Sequence, residues 1–125
     1  MKWGLIPDMS GSITLRELVP IDVAKELTMT ARIFNGTEAK AMGLVTQVAD
    51  DPLNAAIQFA EQIKSRSPDA IAGAKQLFNN TWTADDKTAL KWETRLQMKL
   101  IGRYNQRAAI SNNSGKPKPY KNRTN

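Results

Sequence analysis

The chain has no cysteine and no histidine. No disulfide framework can form, which fits a cytoplasmic setting. Zinc sites and catalytic pairs that rely on His or Cys are excluded within the chain. Acid–base chemistry therefore falls to Asp, Glu, Lys or Tyr. No apolar run approaches the roughly 18 residues of a membrane span. No basic segment followed by an apolar one opens the chain, so no secretory signal is read. Acid is missing from the last quarter. From Lys99 onward there are seven Lys/Arg and no Asp/Glu, whereas residues 1–98 hold eleven of the former against twelve of the latter. That imbalance suits either a phosphate-bearing partner or a solvated tail. No basic stripe interleaved with aromatics is present, so a nucleic-acid role has little support.

What remains is one domain's worth of soluble, mainly helical chain: 125 residues, 41% apolar and 24% charged. Residues 14–19 read as a short helix closed by Pro20, and Asp22 as the cap of a second. Thr37 caps a short helix over 38–42 that Gly43 ends. Residues 44–48, Leu-Val-Thr-Gln-Val, form a strand candidate. Pro52 opens a helix whose stripe, Leu53, Ala56, Ile57, Ala60 and Ile63, is expected to be buried. Ser67-Pro68-Asp69 starts the next helix, to about residue 79. A long helix is expected from about 83–86 through 109, with Ala89, Trp92, Leu96 and Leu100 on one stripe. The last dozen residues, with Gly115, Pro117 and Pro119, read as an extended arm. The wide apolar faces suit burial against other subunits, or against one another.

The segment Gly4-Leu5-Ile6-Pro7-Asp8-Met9-Ser10-Gly11 places an acid in a turn punctuated by Gly and Pro. Asp8 reads either as a site carboxylate or as an ordinary Pro-Asp turn residue. Trp3, Ile6 and Met9 stand close enough in sequence to supply apolar walls that would raise its pKa.

These motifs resemble the crotonase superfamily (enoyl-CoA hydratase/isomerase). Gly4 to Asp8, with Leu15 to Val19 following, resembles its "G-L-x-P-D-x-G-G-x-x-x-L" segment. The run Ala24-Lys25-Glu26-Leu27-Thr28-Met29-Thr30-Ala31-Arg32-Ile33-Phe34 is similar to "A-x-E-L-x-L-T-G-R-x-F". Glu38-Ala39 and Gly43-Leu44-Val45 follow at the family's spacing. Ser67-Pro68-Asp69-Ala70 with Lys75 is similar to "S-P-x-A-x-x-x-x-K", and the arm Lys116-Pro117-Lys118-Pro119-Tyr120 loosely to "K-R-x-P-x-F". Ser10-Gly11 stands where the family commonly has two glycines, and Pro20 takes a usual Gly position.

The resemblance implies a mainly α chain, the C-terminal part of a crotonase-like α/β spiral fold with its helical trimerisation region. Residues 1–49 would end the spiral core, 50–110 would form the trimerisation helices, and 111–125 a basic C-terminal arm. It further implies an acyl-CoA thioester as substrate, no cofactor, and hydration or double-bond isomerisation through an enolate, as in fatty-acid metabolism. The spiral half that carries the oxyanion donors, and both family glutamates, would lie outside this chain. A truncated protein, inactive alone, is therefore expected. Asp8 would match the Asp that shuttles a proton in some family isomerases, lined by Trp3, Ile6 and Met9. Lys116 and Lys118 would be the nearest candidates for contacting CoA phosphates. Partners would be the acyl-CoA, further copies in a trimer-based homo-oligomer, or a full-length relative, with no nucleic acid and no membrane. The alternative is a non-catalytic oligomerisation module derived from such an enzyme.

Overall fold

The computed structural model describes residues 2–123. Among them run seven helices and no strand: α1 Gly11–Leu18, α2 Ile21–Thr30, α3 Gly36–Met42, α4 Pro52–Lys64, α5 Pro68–Thr81, α6 Asp86–Leu100 and α7 Tyr104–Asn113. Close contacts divide the chain into two compact units, Met1–Pro52 and Leu53–Asn125. None of the helices is long and apolar enough to cross a membrane.

In the first unit α1 packs on α2. The link is short because Val19 turns extended and Pro20 immediately caps α2. Asp22 thus sits in the first turn of α2, where its charge favours the helix N-terminus, and is not the cap the sequence suggested. The buried Val19 side chain fills the corner. Asn35, not Thr37, caps α3. Its side chain accepts from the Glu38 N–H (2.9 Å), while Glu38 Oε2 accepts from the Asn35 N–H (3.1 Å), a reciprocal capping box.

Arg32 then ties α2 to α3. Its Nε donates to Glu26 Oε1 at 2.8 Å and its Nη1 to Glu38 Oε1 at 3.0 Å. The guanidinium also lies 5.7 Å from the Phe34 ring centre. A planar fork with several donors in fixed directions holds two carboxylates in one geometry, where the rotatable ammonium of a lysine fixes none.

Residues 44–48 do not form the expected strand. A strand needs a paired neighbour for its backbone groups, and the described residues offer none. The segment instead runs back over the start of α3: a Cβ added at Gly36 would lie 3.5 Å from Val48 Cγ1.

In the second unit α5 and α6 form the main helix pair, and α7 packs on α5. The buried Ser67 accepts weakly from the Ala70 N–H (3.4 Å), and Pro68 takes the first helical position of α5. Asp85 caps α6, accepting from the Thr88 N–H (3.0 Å) and the Thr88 hydroxyl (2.7 Å). Leu96 on α6 is buried, with Trp92 and Leu100 half-buried, as the stripe on this helix requires.

The single long helix expected through residue 109 is broken. Ile101 leaves helical geometry and Gly102 adopts a left-handed φ of +73°. A glycine reaches that region without a Cβ clash, so α7 can start on a new axis. The buried stripe expected on α4 is also absent. Leu53 is 73% exposed, and no residue of α4 is buried. Across the described residues no large side chain is fully buried, and the buried apolar set is Val19, Ala39, Leu96 and Ala108.

The Arg32 fork has a pH signature. The Asn35 N–H bond, then Arg32, hold the Glu38 carboxyl below its ordinary value of 4.5, with desolvation opposing. A lowered folded pKa gives stabilisation that is complete above the unfolded value and lost as pH falls through the folded one. Glu38→Gln should therefore lower the melting temperature at pH 7. The gap from the wild type should close below about pH 4, as read by circular dichroism melts.

Candidate functional site

The chain before α1 closes in a tight turn. The Gly11 N–H donates to the Asp8 carbonyl at 2.9 Å, and the two residues between are both left-handed: Met9 at φ +48° and Ser10 at φ +68°. Two consecutive non-glycine residues in this region are uncommon, and such backbone strain clusters at functional positions. Ser10 lies at the first of the two positions where the resemblance led one to expect glycines, so its strained backbone explains why glycine suits that position. The second is kept as Gly11, where an added Cβ would meet Pro7 Cβ at 3.3 Å.

The turn holds the Asp8 carboxylate at an exposed position. Trp3, Ile6 and Met9 are 84%, 77% and 94% exposed. They flank Asp8 in sequence but do not enclose it within this unit. Apolar walls around the carboxylate require a further surface.

The second unit carries the other candidates. The arm after α7 is fixed by directional bonds. Lys116 N–H donates to the Ser111 carbonyl (3.0 Å), and its carbonyl accepts from the Ser111 hydroxyl (2.7 Å). The Lys118 N–H donates to Asn112 Oδ1 at 2.6 Å. Farther along, the buried Asn105 does what a neighbouring strand would do. Its Oδ1 accepts from the Lys121 N–H at 2.9 Å, and its Nδ2 donates to the Lys121 carbonyl at 3.0 Å. Nδ2 also donates to Asp69 Oδ2 on α5 at 2.8 Å. One carboxamide thus joins α5, α7 and the arm, with no buried side-chain donor or acceptor left unpaired among the described residues.

This clasp lays the arm beside α7, so that Lys118 Nζ and Lys121 Nζ sit 4.8 and 4.4 Å from the Tyr104 ring centre. A groove follows, lined by Lys99, Arg103, Arg107, Lys121 and Arg123, with Asp69 on its wall. Neither Lys116 nor Lys118 lines the groove; Lys118 reaches its edge only through the Tyr104 ring. Sequence spacing alone does not mark the groove cations as a group. Their one local signal is Arg103 and Arg107, a helical turn apart directly after Gly102. No cluster of three acids among the described residues is placed to hold a metal ion.

The model of one family, enoyl-CoA hydratase/isomerase, matches residues 1–121. The chain belongs to that family. A short-chain-enoyl-CoA hydratase of Clostridium acetobutylicum is 32% identical over 110 residues, 86% of this chain and 42% of the relative. A carnitinyl-CoA dehydratase of Citrobacter koseri is 32% identical over 82 residues, 64% of this chain and 31% of that protein. A solved enoyl-CoA hydratase structure from Polaromonas sp. JS666 superposes on 96% of this chain and 48% of its own, with a TM-score of 0.83 at 30% identity. The chain thus spans less than half the length of these relatives, and its helices correspond to the helical C-terminal part of the crotonase fold.

Two substitutions probe the turn and the clasp. Ser10→Gly removes the left-handed penalty and should stabilise the first unit by about 0.5–1 kcal/mol in urea titrations, the gain reduced by a freer unfolded chain. Asn105→Ala strips the arm of its partner and should cost about 1–3 kcal/mol. Hydrogen exchange at the Lys121 amide should accelerate in parallel.

Proposed function

We propose that this chain supplies one wall of an acyl-CoA site in an enoyl-CoA hydratase/isomerase assembly, with Asp8 as the proton-transfer group. The observation that carries the reading is the strained turn that holds Asp8 at an exposed edge, in a chain whose family model runs from residue 1 to residue 121. The Asp8 carboxylate takes a proton from the carbon between the thioester carbonyl and a β,γ double bond, leaving a dienolate, and returns it at the γ carbon, farther along the acyl chain. The double bond shifts and the carboxylate is regenerated, so no cofactor is consumed. Trp3, Ile6 and Met9 line the acyl chain once covered, and they exclude water from the proton-transfer step. Lys116 and Lys118 meet the phosphates of the coenzyme.

We assign the oxyanion donors to polypeptide outside this chain. Each such donor lowers the barrier by roughly 3 kcal/mol, so the chain alone is inactive. The exposed apolar residues of α4, α5 and α6, among them Leu53, Phe59, Phe78 and Met98, with Trp82 at the end of α5, support self-association, trimer-based, or assembly with a full-length relative. The same faces favour a second reading, an oligomerisation module without catalysis.

One experiment separates them. Light scattering gives the mass of the purified chain. Acyl-CoA hydration and isomerisation are then assayed alone and after co-expression with a family polypeptide that supplies the spiral half. The catalytic reading expects no turnover alone, turnover in the assembly, and a loss of about a hundredfold or more in kcat with Asp8→Asn. An assembly that forms but works equally well with Asp8→Asn leaves only the module.

A further inference from the structure

One dipeptide of the first unit carries chemistry that the site at Asp8 does not use. Asn35 is the only asparagine of the chain followed by a glycine, Gly36. In such a pair the glycine nitrogen can attack the asparagine side-chain carbonyl, because no Cβ on the second residue crowds the five-membered ring that forms. The backbone does not require a glycine at this position. The φ of Gly36 lies outside the left-handed region, and an added Cβ would meet Val48 Cγ1 at 3.5 Å, an ordinary contact. Alanine would also be the better helix former. Both Asn35 and Gly36 are exposed, so water reaches the pair.

The same asparagine is the cap of α3. Its Oδ1 accepts from the Glu38 N–H at 2.9 Å, and Glu38 Oε2 accepts from the Asn35 N–H at 3.1 Å. Arg32 Nη1 holds the other oxygen of Glu38 at 3.0 Å. The Gly36 nitrogen stands at the first helical position, where its N–H has no intrahelical acceptor to give up. Ring closure turns the Asn35 carboxamide face-on to that nitrogen, out of the orientation in which Oδ1 points at the Glu38 N–H. The bond that starts the helix and the reaction therefore exclude each other.

We propose that Asn35 is a deamidation site gated by its own capping box, so that the link between α2 and α3 loosens as the molecule ages. The chemistry belongs to the dipeptide, and the helix start only restrains it. The Gly36 nitrogen loses its proton to solvent and bonds to Asn35 Cγ, the Cγ–Nδ2 bond breaks, and the nitrogen leaves as ammonia. One water then opens the succinimide. Cleavage of the new Cγ–N bond leaves an aspartate at position 35, which still caps a helix. Cleavage at the main-chain carbonyl leaves an isoaspartate, whose backbone is one methylene longer and out of register with the cap. Glu38 then loses the Asn35 N–H that helps hold it against Arg32.

The test is incubation of the full chain at neutral pH, with position 35 read over time by mass-spectrometric peptide mapping and enzymatic methylation of isoaspartate. The folded chain should convert at Asn35 about fivefold or more slowly than the same chain unfolded in urea, because the box must open first. Glu38→Ala removes one bond of the box and should speed conversion in the folded chain about fivefold. Gly36→Ala keeps both bonds and should slow conversion about tenfold or more through its Cβ. Circular dichroism checks that each variant keeps its helices. The isoaspartate fraction, separated by chromatography, should show faster hydrogen exchange at the Glu38 amide. Equal rates in the folded and unfolded wild type, or in folded Glu38→Ala and the wild type, overturn the gating. A folded wild type that never converts at position 35, or a Gly36→Ala that converts as fast as the wild type, overturns the site itself, whether or not Glu38→Ala folds.

Discussion

Leu53, Phe59, Phe78, Trp82 and Met98 all stand open to solvent, and a chain with so much uncovered apolar surface must hold its shape by other means. Ordinary domains rely on buried area, at about 25 cal/mol per Å² of apolar surface. Here directional polar contacts carry much of the local order. The Arg32 fork joins α2 to α3, capping side chains start α3, α5 and α6, and the Asn105 carboxamide joins α5, α7 and the arm. Such contacts fix geometry well and contribute modest net stability. They set the shape of each unit and leave the apolar faces available for partners.

The same division of labour runs through the functional candidates. In the first unit, backbone strain at Met9 and Ser10 sets the direction of the turn that carries Asp8. In the second, Asn105 places basic residues from three separate elements around one groove. Neither depends on a large buried core, and each lies at the exposed surface of its own unit. A carboxylate that works as a base needs a dry pocket, and exposed Trp3, Ile6 and Met9 are suited to form one only when covered.

Much of the helical fold was legible in the chain. Pro52 and Pro68 mark helix starts because proline fits the first turn and no later one. Gly43 marks an end through its left-handed φ of +88°. The crotonase motifs at Pro7-Asp8 and through Arg32 gave the family, which the match over residues 1–121 establishes. Three readings failed for one reason. The strand at 44–48, the buried stripe of α4 and the unbroken helix through 109 all rested on local pattern. A strand needs a partner and a buried stripe needs a covering surface. A glycine ends a helix only where the chain has somewhere else to pack.

The sequence by itself determined the helical periodicity, the absence of His and Cys chemistry, the charge concentrated after Lys99, and the Pro-Asp turn, since each of these is a property of residues adjacent along the chain. Only the tertiary structure decided that Asn105 reads the backbone of Lys121, that Asp69 is joined to both, and that Lys99, Arg103 and Arg123 share one groove. Those contacts span up to 36 residues. They depend on where Gly102 turns the chain, and no local spacing encodes that direction.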